Sequence, residues 1–469
     1  MSPSAPPRRA YDFTTDSQKV DRLVALVRRN RRRIDIEPAY DCCVPSFERA
    51  TDADNLLATF QRLRNENGQA PGIDKIRYWD LTIREAGDIF RALSEVLRSG
   101  KYRPNKTITK LLRKKCGGER RLKIGTVFDR VVAAAVATEI TKYLERKFSP
   151  NSFGFRTGYN NWQALLAVAE LIRRRDCRVL AIDDIRQAFD FVPIDELLEV
   201  VRANIADQPL ADLIACIARG HQGNNRKRGI DQGSPLSPVL LNLLLWERLD
   251  RPLAAGTAPQ LLIRYADNLA FVVKSLIEGE QALERTRELL RPLGMQLKGG
   301  ERPMNLGRTG AGVELLGFRI RVQEDAPSFE MSRSAWSGFR ERLKKALRSP
   351  NPAWTCNQAA KGWLSAQAPA FENADVYEVL RQLHRQASRA GVWELDSRDE
   401  LESTLIQATT AWKEVKRTCR NIPQDVSGHM EVCMAVHVAC ASRASTCVPA
   451  NGYAPSLPAW KPAGRIFCY

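Results

Sequence analysis

Apolar residues recur every third or fourth position through much of this chain, and a few short, solid apolar runs interrupt that rhythm. Helical spacing predicts amphipathic helices over Leu56 to Arg64 and Ile83 to Leu97. A longer helix is predicted over Val127 to Leu144, where small positions (Ala133, Ala134, Ala135, Ala137) permit close packing. Asn161 is expected to cap a helix over Trp162 to Arg174, and Pro193 to begin one running towards Ala203. The solid runs Val179 to Ile182, Leu261 to Ile263 and Leu269 to Val273 read as strands, the last two forming a hairpin tipped by Asp267 and Asn268. Further on, Trp336, Phe339, Leu343 and Leu347 make one apolar stripe of a helix that Ser332 or Ser334 can cap. Arg340, Arg342, Lys344, Lys345 and Arg348 lie outside that stripe, and Pro350 and Pro352 mark the helix end. Residues 1 to about 17 read as disordered, and Val20 to Arg33 as a basic helix.

Two of the predicted strands end in acid. Ala181-Ile182-Asp183-Asp184 closes one, and Arg264-Tyr265-Ala266-Asp267-Asn268 turns the other; Asp184 and Asp267 lie 83 positions apart (267 − 184). On adjacent strands the two carboxylates would stand side by side and bridge a pair of divalent cations. Nucleotidyl transfer needs that arrangement, with one metal activating the attacking hydroxyl and the other stabilising the leaving pyrophosphate. Magnesium suits it, taking one or two carboxylates and completing its shell with phosphate oxygens and water. Asp183 is an extra acid that strand alternation points away from such metals. Solvated loop aspartates are far commoner than ligands, so the segment between the strands matters. Gly229-Ile230-Asp231-Gln232-Gly233-Ser234-Pro235-Leu236-Ser237-Pro238 is a glycine- and proline-rich turn opening into an apolar helix, Val239 to Leu249. Its glycines let backbone approach a nucleotide, and the turn orients Gln232 and Ser237 as donors.

In this order the three segments resemble motifs A, B and C of reverse transcriptases. The resemblance extends to Gln69-Ala70-Pro71-Gly72-Ile73-Asp74, Ser99-Gly100-Lys101-Tyr102-Arg103-Pro104, Gly117-Gly118-Glu119-Arg120-Arg121-Leu122 and Thr126-Val127-Phe128-Asp129-Arg130-Val131-Val132. These, with Ser152-Phe153-Gly154-Phe155-Arg156-Thr157-Gly158, look like the fingers of group II intron-type enzymes. Leu315-Leu316-Gly317-Phe318 is similar to a primer-grip hairpin, and Lys361-Gly362-Trp363 to the start of a thumb segment. About residues 52 to 395 are covered. The resemblance implies an α+β, right-hand polymerase fold. Residues 1–50 would be a basic N-terminal extension, 51–175 fingers, and 176–325 a palm of antiparallel sheet plus helices to which part of the fingers contributes. A helical thumb would occupy 326–395, leaving 396–469 as a C-terminal extension of unknown role.

Roles follow from the resemblance residue by residue. Asp184 and Asp267 match the metal-binding aspartates, joined by the backbone carbonyl of Ile185, and Asn268 completes the catalytic group. Phe189 matches the aromatic that sits under the sugar and excludes a 2′-hydroxyl, which implies deoxynucleotide substrates; an ordinary core phenylalanine would look the same in sequence. Ile185 and Gln232 adjoin the incoming nucleotide. Lys114 and Arg120 match fingers cations that neutralise the triphosphate through charge-assisted bonds. Arg156, Gly317 and Lys344 fall along the template and primer path. The implied cofactor is a pair of Mg2+ ions, with Mn2+ as the alternative.

Composition agrees. A formal charge of +18 and a pI of about 9.6 call for a polyanionic partner. Arg98 to Lys123 holds eleven Lys or Arg against one acid, Glu119. No apolar stretch approaches the length of a membrane span, and the first thirty residues lack the apolar core of a signal peptide. No membrane partner is expected. Eleven cysteines at irregular spacing fit reduced thiols, and the expected location is cytoplasmic. Cys433, His437 and Cys440, with His429 and Cys447 nearby, fit a buried helix face better than a zinc site, because paired Cys-x-x-Cys signatures are absent.

Departures from the family pattern cluster around the nucleotide. Asn268 stands where a second aspartate is usual, Asp231 replaces the usual proline, and Glu301 takes the place of a lysine, flanked by Lys298 and Arg302. No HNH endonuclease segment is evident. The expected function is an RNA-directed DNA polymerase using dNTPs, with an RNA template or a dedicated noncoding RNA and a DNA product. Antiphage defence or another role outside intron mobility is expected, either as a homo-oligomer or with a partner protein. Two alternatives stay open: an RNA-binding or splicing-assisting protein with a silent polymerase site, and a polymerase making untemplated or protein-templated DNA. Ser237-Pro238 lacks the Ser-Gln of the diversity-generating class.

Overall fold

The computed structural model describes residues 44–66, 70–113, 119–175, 177–255, 262–300, 302–323, 326–420, 432–433 and 436. It is an α+β fold with three antiparallel sheets. One is a hairpin of β1 (Ile108–Arg113) and β2 (Glu119–Ile124). The palm sheet has the order β4-β5-β3-β6, from β3 (Val179–Asp184), β4 (Leu262–Tyr265), β5 (Asn268–Val273) and β6 (Met304–Asn305). A third sheet joins β7 (Val313–Leu315), β8 (Phe318–Gln323) and β9 (Ala326–Met331).

The solid apolar runs became palm strands because both faces of that sheet are covered. Leu180, Ile182, Ile263, Ala270 and Val272 pack with the helix Asn161–Arg175 on one face. Ala181, Leu262, Leu269 and Phe271 join the core shared with the fingers helices on the other. Helix Asn161–Arg175 thus rests directly on this sheet.

Predicted helices recur as Ala53–Glu66, Ile83–Arg98, Val127–Leu144, Asn161–Arg175 and Ile194–Asn204. Thr82 and Glu85 cap the second reciprocally. The fourth is capped by Asn160 and not by Asn161: Asn160 Oδ1 accepts the Gln163 N–H at 3.1 Å, and Gln163 Oε1 accepts the Asn160 N–H at 2.7 Å. The apolar helix after the glycine-rich turn runs Ser237–Leu245 and then widens into a π turn, Trp246–Asp250. In the thumb, helix Ala335–Ala346 buries Phe339 and Leu343, but Leu347 lies beyond its end, exposed. The Ser334 side chain makes no cap bond there. Pro352 opens the next helix, Pro352–Ala366, instead of only ending the first.

The stretch from 396, expected as an extension of unknown role, begins with a helix packed against the rest of the described residues. Helix Arg398–Arg420 is part of the body, and its Trp412 is the largest fully buried side chain. The indole packs edge-on against Trp162 and Phe329, with centroids at 5.5 and 5.4 Å, and donates its N–H to Glu372 Oε2 at 2.9 Å. Lys416 pairs with the same carboxylate at 2.7 Å. Cys433 is buried in this cluster, and burial pushes its thiol far up. His429, His437, Cys440, Cys447 and the basic segment Val20 to Arg33 lie outside the described residues. Among the described residues, no helix is long and apolar enough to cross a membrane.

Candidate active site

Register brings the two acidic strand ends together. β3 and β5 pair so that Asp184 faces Asn268, and β4 and β5 pair so that Tyr265 faces Asn268, leaving Ala266 and Asp267 as a two-residue turn. The Ile185 N–H donates to the Asp267 carbonyl at 2.9 Å, which locks the two strand ends together. Ala266 adopts φ 59°, a left-handed conformation that an L-residue resists. Gly154 sits directly against this turn: a Cβ there would lie 2.2 Å from the Ala266 nitrogen. Both Asp184 and Asp267 are half-buried.

Beneath the turn lies a buried polar network that sequence reading missed. Arg264 is 1% exposed. It donates through Nε to Asp250 Oδ1 at 2.9 Å, through Nη2 to Asp250 Oδ2 at 2.7 Å, and through Nη1 to Asn242 Oδ1 at 2.8 Å and the Ala266 carbonyl at 3.1 Å. Asn242 Nδ2 donates in turn to the Gly154 carbonyl at 2.8 Å. Backbone bonds close the frame: Arg264 N–H to the Asn151 carbonyl at 2.9 Å, and Phe153 N–H to the Arg264 carbonyl at 2.7 Å. Asp250 reaches this position from the last residue of the π turn, where such widened turns tend to serve function. The available signal was an arginine ending an apolar strand run.

Asn268 donates long bonds of 3.4 Å through Nδ2 to the Asp267 carboxylate and to the Tyr265 carbonyl. An aspartate at that place would repel Asp267; the amide steadies it. On the other side, the Lys298 ammonium lies 3.6 Å from Asp184 Oδ2. A cation therefore already stands against one candidate metal ligand. Among the described residues, no cluster of three or more His, Cys, Asp or Glu is placed to hold an ion. Two carboxylates and nearby backbone fit a hard cation that keeps water and takes phosphate oxygens, and they do not fit a closed zinc site.

The remaining residues divide. The carbonyl of Gln232 accepts the Lys123 N–H at 2.6 Å, and its side-chain Oε1 is buried with no partner. Gly233 follows at φ 116°, where a Cβ would lie 2.5 Å from the Lys123 carbonyl. Asp231 is paired with Arg226 at 2.7 Å, so the residue in the proline's place is held by a local ion pair. Phe189 is buried, its ring edge-on to Phe155 at 6.0 Å. Arg120 lies on β2 and is partly exposed. Lys114 and Glu301 lie outside the described residues.

Arg156 departs from expectation. It is buried, pairs with Glu145 at 2.8 Å, donates to the carbonyls of Ser149, Ser152 and Glu145, and stacks 4.1 Å from the Tyr159 ring centroid. A guanidinium so fully used braces the 145–159 loop and leaves no face for template. Gly317 occupies a two-residue hairpin turn between β7 and β8, where Leu316 at φ 51° and Gly317 at φ 89° make the type that matches strand twist. Lys344 is exposed on its thumb helix, beside Glu341 at 3.0 Å. Its neighbour Lys345 has its pKa lowered by burial and by the charge of Lys110 on β1.

Residues 112–299 match the family described as reverse transcriptase (RNA-dependent DNA polymerase). Among known proteins, an uncharacterized 91 kDa protein in the cob intron of Schizosaccharomyces pombe is 30% identical over 165 residues, 34% of this chain and 20% of that one. The putative COX1/OXI3 intron 2 protein of Saccharomyces cerevisiae is 23% identical, over 43% of this chain and 24% of its own. Protein YkfC of Escherichia coli is 29% identical, over 39% of this chain and 50% of its own. The matches thus span between a fifth and a half of these relatives' lengths. A telomerase structure from Candida albicans with a telomeric RNA fragment aligns at 12% identity over 68% of this chain and 63% of that chain, with a TM-score of 0.39. Residues 112–299 are a reverse-transcriptase domain, and the relatives include proteins named for introns.

Proposed function

We propose that the protein is an RNA-directed DNA polymerase that extends a primer with deoxynucleotides, taking an RNA template and releasing a DNA product. The observation that carries this reading is the meeting of Asp184 and Asp267 at paired strand ends inside a reverse-transcriptase domain. Asp184, Asp267 and the Ile185 carbonyl would hold a pair of Mg2+ ions. Bound there, such ions would activate the 3′-hydroxyl and offset charge on the leaving pyrophosphate. The chain's own part is placement. The Ile185–Asp267 bond fixes the carboxylate-bearing backbone, the Arg264 network holds the turn, and Gln232 offers a buried, unused acceptor beside the nucleotide. We assign the protein a cytoplasmic role outside intron mobility, antiphage defence with a dedicated noncoding RNA being the leading case; the changed residues around the nucleotide favour a specialised polymerase.

Primer extension on an RNA template with dNTPs and Mg2+ tests the reading, and sequencing RNA that co-purifies tests the dedicated-RNA part. No product with any template or metal would sink it.

Substrate choice should rest on Phe189. Phe189→Val is expected to raise the efficiency of rNTP relative to dNTP incorporation by about tenfold or more, by opening space for a 2′-hydroxyl. An unchanged ratio would return Phe189 to the core, where its contact with Phe155 already places it.

Asn268 should tune metal demand. Asn268→Asp adds a negative charge next to Asp267 and is expected to lower the Mg2+ concentration for half-maximal synthesis several-fold. Wild-type protein that is inert until this change is made would favour the silent-site alternative. Active wild type that is impaired by it would make the asparagine's bond to Asp267 a required part of the site.

A further inference from the structure

We propose that Asp183 is a positioning residue for this site. Its buried carboxylate ties the loop carrying Lys298 to the metal-binding end of β3, and so sets where that cation stands against a bound triphosphate. The inference rests on the polymerase reading above.

Asp183 is 4% exposed, a place where a carboxylate persists only if hydrogen-bonded. Its Oδ1 accepts two backbone N–H groups, from Asp184 at 2.8 Å and from Gly299 at 3.1 Å. Its Oδ2 is buried with no partner. The bonds of the carboxylate thus go to the two sides of one junction, the strand end and the loop.

Around that junction the backbone is laced together. Arg186 N–H donates to the Gln296 carbonyl at 2.8 Å, Ile185 bridges Leu297, and Lys298 N–H donates to the Asp184 carbonyl at 2.7 Å. Past Lys298 the chain turns away through Gly299 and Gly300 at φ 76° and 96°, conformations that other residues resist. The Asp183 bond to Gly299 is therefore the tether at the point where the loop leaves the sheet. Lys298 sits just inside it, with its ammonium 3.6 Å from Asp184 Oδ2. A long lysine side chain samples many positions unless its backbone is held. Charge preset where negative charge gathers is what an active site gains from such holding.

The test compares Asp183→Ala, which removes the acceptor, with Asp183→Asn, which keeps Oδ1 and removes the charge. Three quantities are read: KM for dNTP against kcat, exchange protection of the Gly299 amide, and Mn2+ binding without nucleotide. Asp183→Ala is expected to raise KM about tenfold or more, with a smaller change in kcat. It should also expose the Gly299 amide and leave Mn2+ binding near wild type. Asp183→Asn should restore both KM and protection. Lys298→Ala should raise KM by a similar factor, and combining it with Asp183→Ala should add little. Unchanged KM in Asp183→Ala, an Asp183→Asn as deficient as the alanine, or full additivity with Lys298→Ala would each overturn the tether. If Asp183→Ala does not fold, an unaltered KM in Lys298→Ala or lost Gly299 protection in Asp183→Asn overturns it equally. Asp184→Ala is run alongside. Synthesis that survives Asp184→Ala sinks the polymerase reading, whereas a dead Asp184→Ala beside a normal Asp183→Ala sinks only the tether.

Discussion

Asp184→Ala and Asp267→Ala are each expected to lower the rate of DNA synthesis by about a thousandfold or more, equivalent to roughly 4 kcal/mol of transition-state stabilisation. The size follows from the poverty of the donor set. Among the described residues no third carboxylate, histidine or cysteine joins Asp184 and Asp267 in a cluster that could hold an ion, so on the proposed two-metal reading one remaining aspartate would not suffice. Folding should survive, because Asp184 keeps its strand place through backbone bonds, and its side chain is 42% exposed. Removing that carboxylate also releases Lys298 from an exposed ion pair, which costs little in water. Steady-state primer extension paired with thermal unfolding decides the matter. Near-normal synthesis by either variant would mean that the metals are held elsewhere.

The second large effect lies beneath the turn. Arg264→Met should destabilise the fold by about 3–5 kcal/mol, because it leaves the Asp250 carboxylate buried without its cation. That is a large share of the roughly 5–15 kcal/mol that holds an ordinary domain folded. Replacing both partners, as Arg264→Met with Asp250→Leu, should recover most of that stability, since apolar pairs often substitute well for buried ion pairs. Activity should not return with it. The double variant still lacks the donor to the Ala266 carbonyl and to Asn242, which hold the Asp267 turn and Gly154 in place. Denaturant midpoints and primer extension on the same preparations separate the two effects. A double variant that is both stable and fully active would reduce the Arg264–Asp250 pair to a dispensable filler.

Lys298 shows how far a motif can be read and where reading stops. In the sequence it was visible only as a cation flanking the position expected to hold lysine. That it reaches Asp184 depends on a backbone pairing between 296–299 and the end of β3, across more than a hundred residues of chain. No spacing rule spans such a separation. Asp231 differs: its departure from proline was plain in the sequence, and its partner Arg226 lies only five residues away.

The sequence by itself determined the strands that carry Asp184 and Asp267 and the extents of helices such as Val127–Leu144. Those are local properties, set by apolar period, caps and turn residues within a few positions. Tertiary structure alone decided which polar groups are buried and with whom. It turned Arg156 from an expected template contact into an internal brace. It drew helix Arg398–Arg420 into the body through Trp412. It also set Arg264, Asp250 and Asn242 under the active turn. The physical reason is common to all three. A charged or aromatic side chain can point to water or inward at almost equal local cost, and only partners delivered from distant segments decide which.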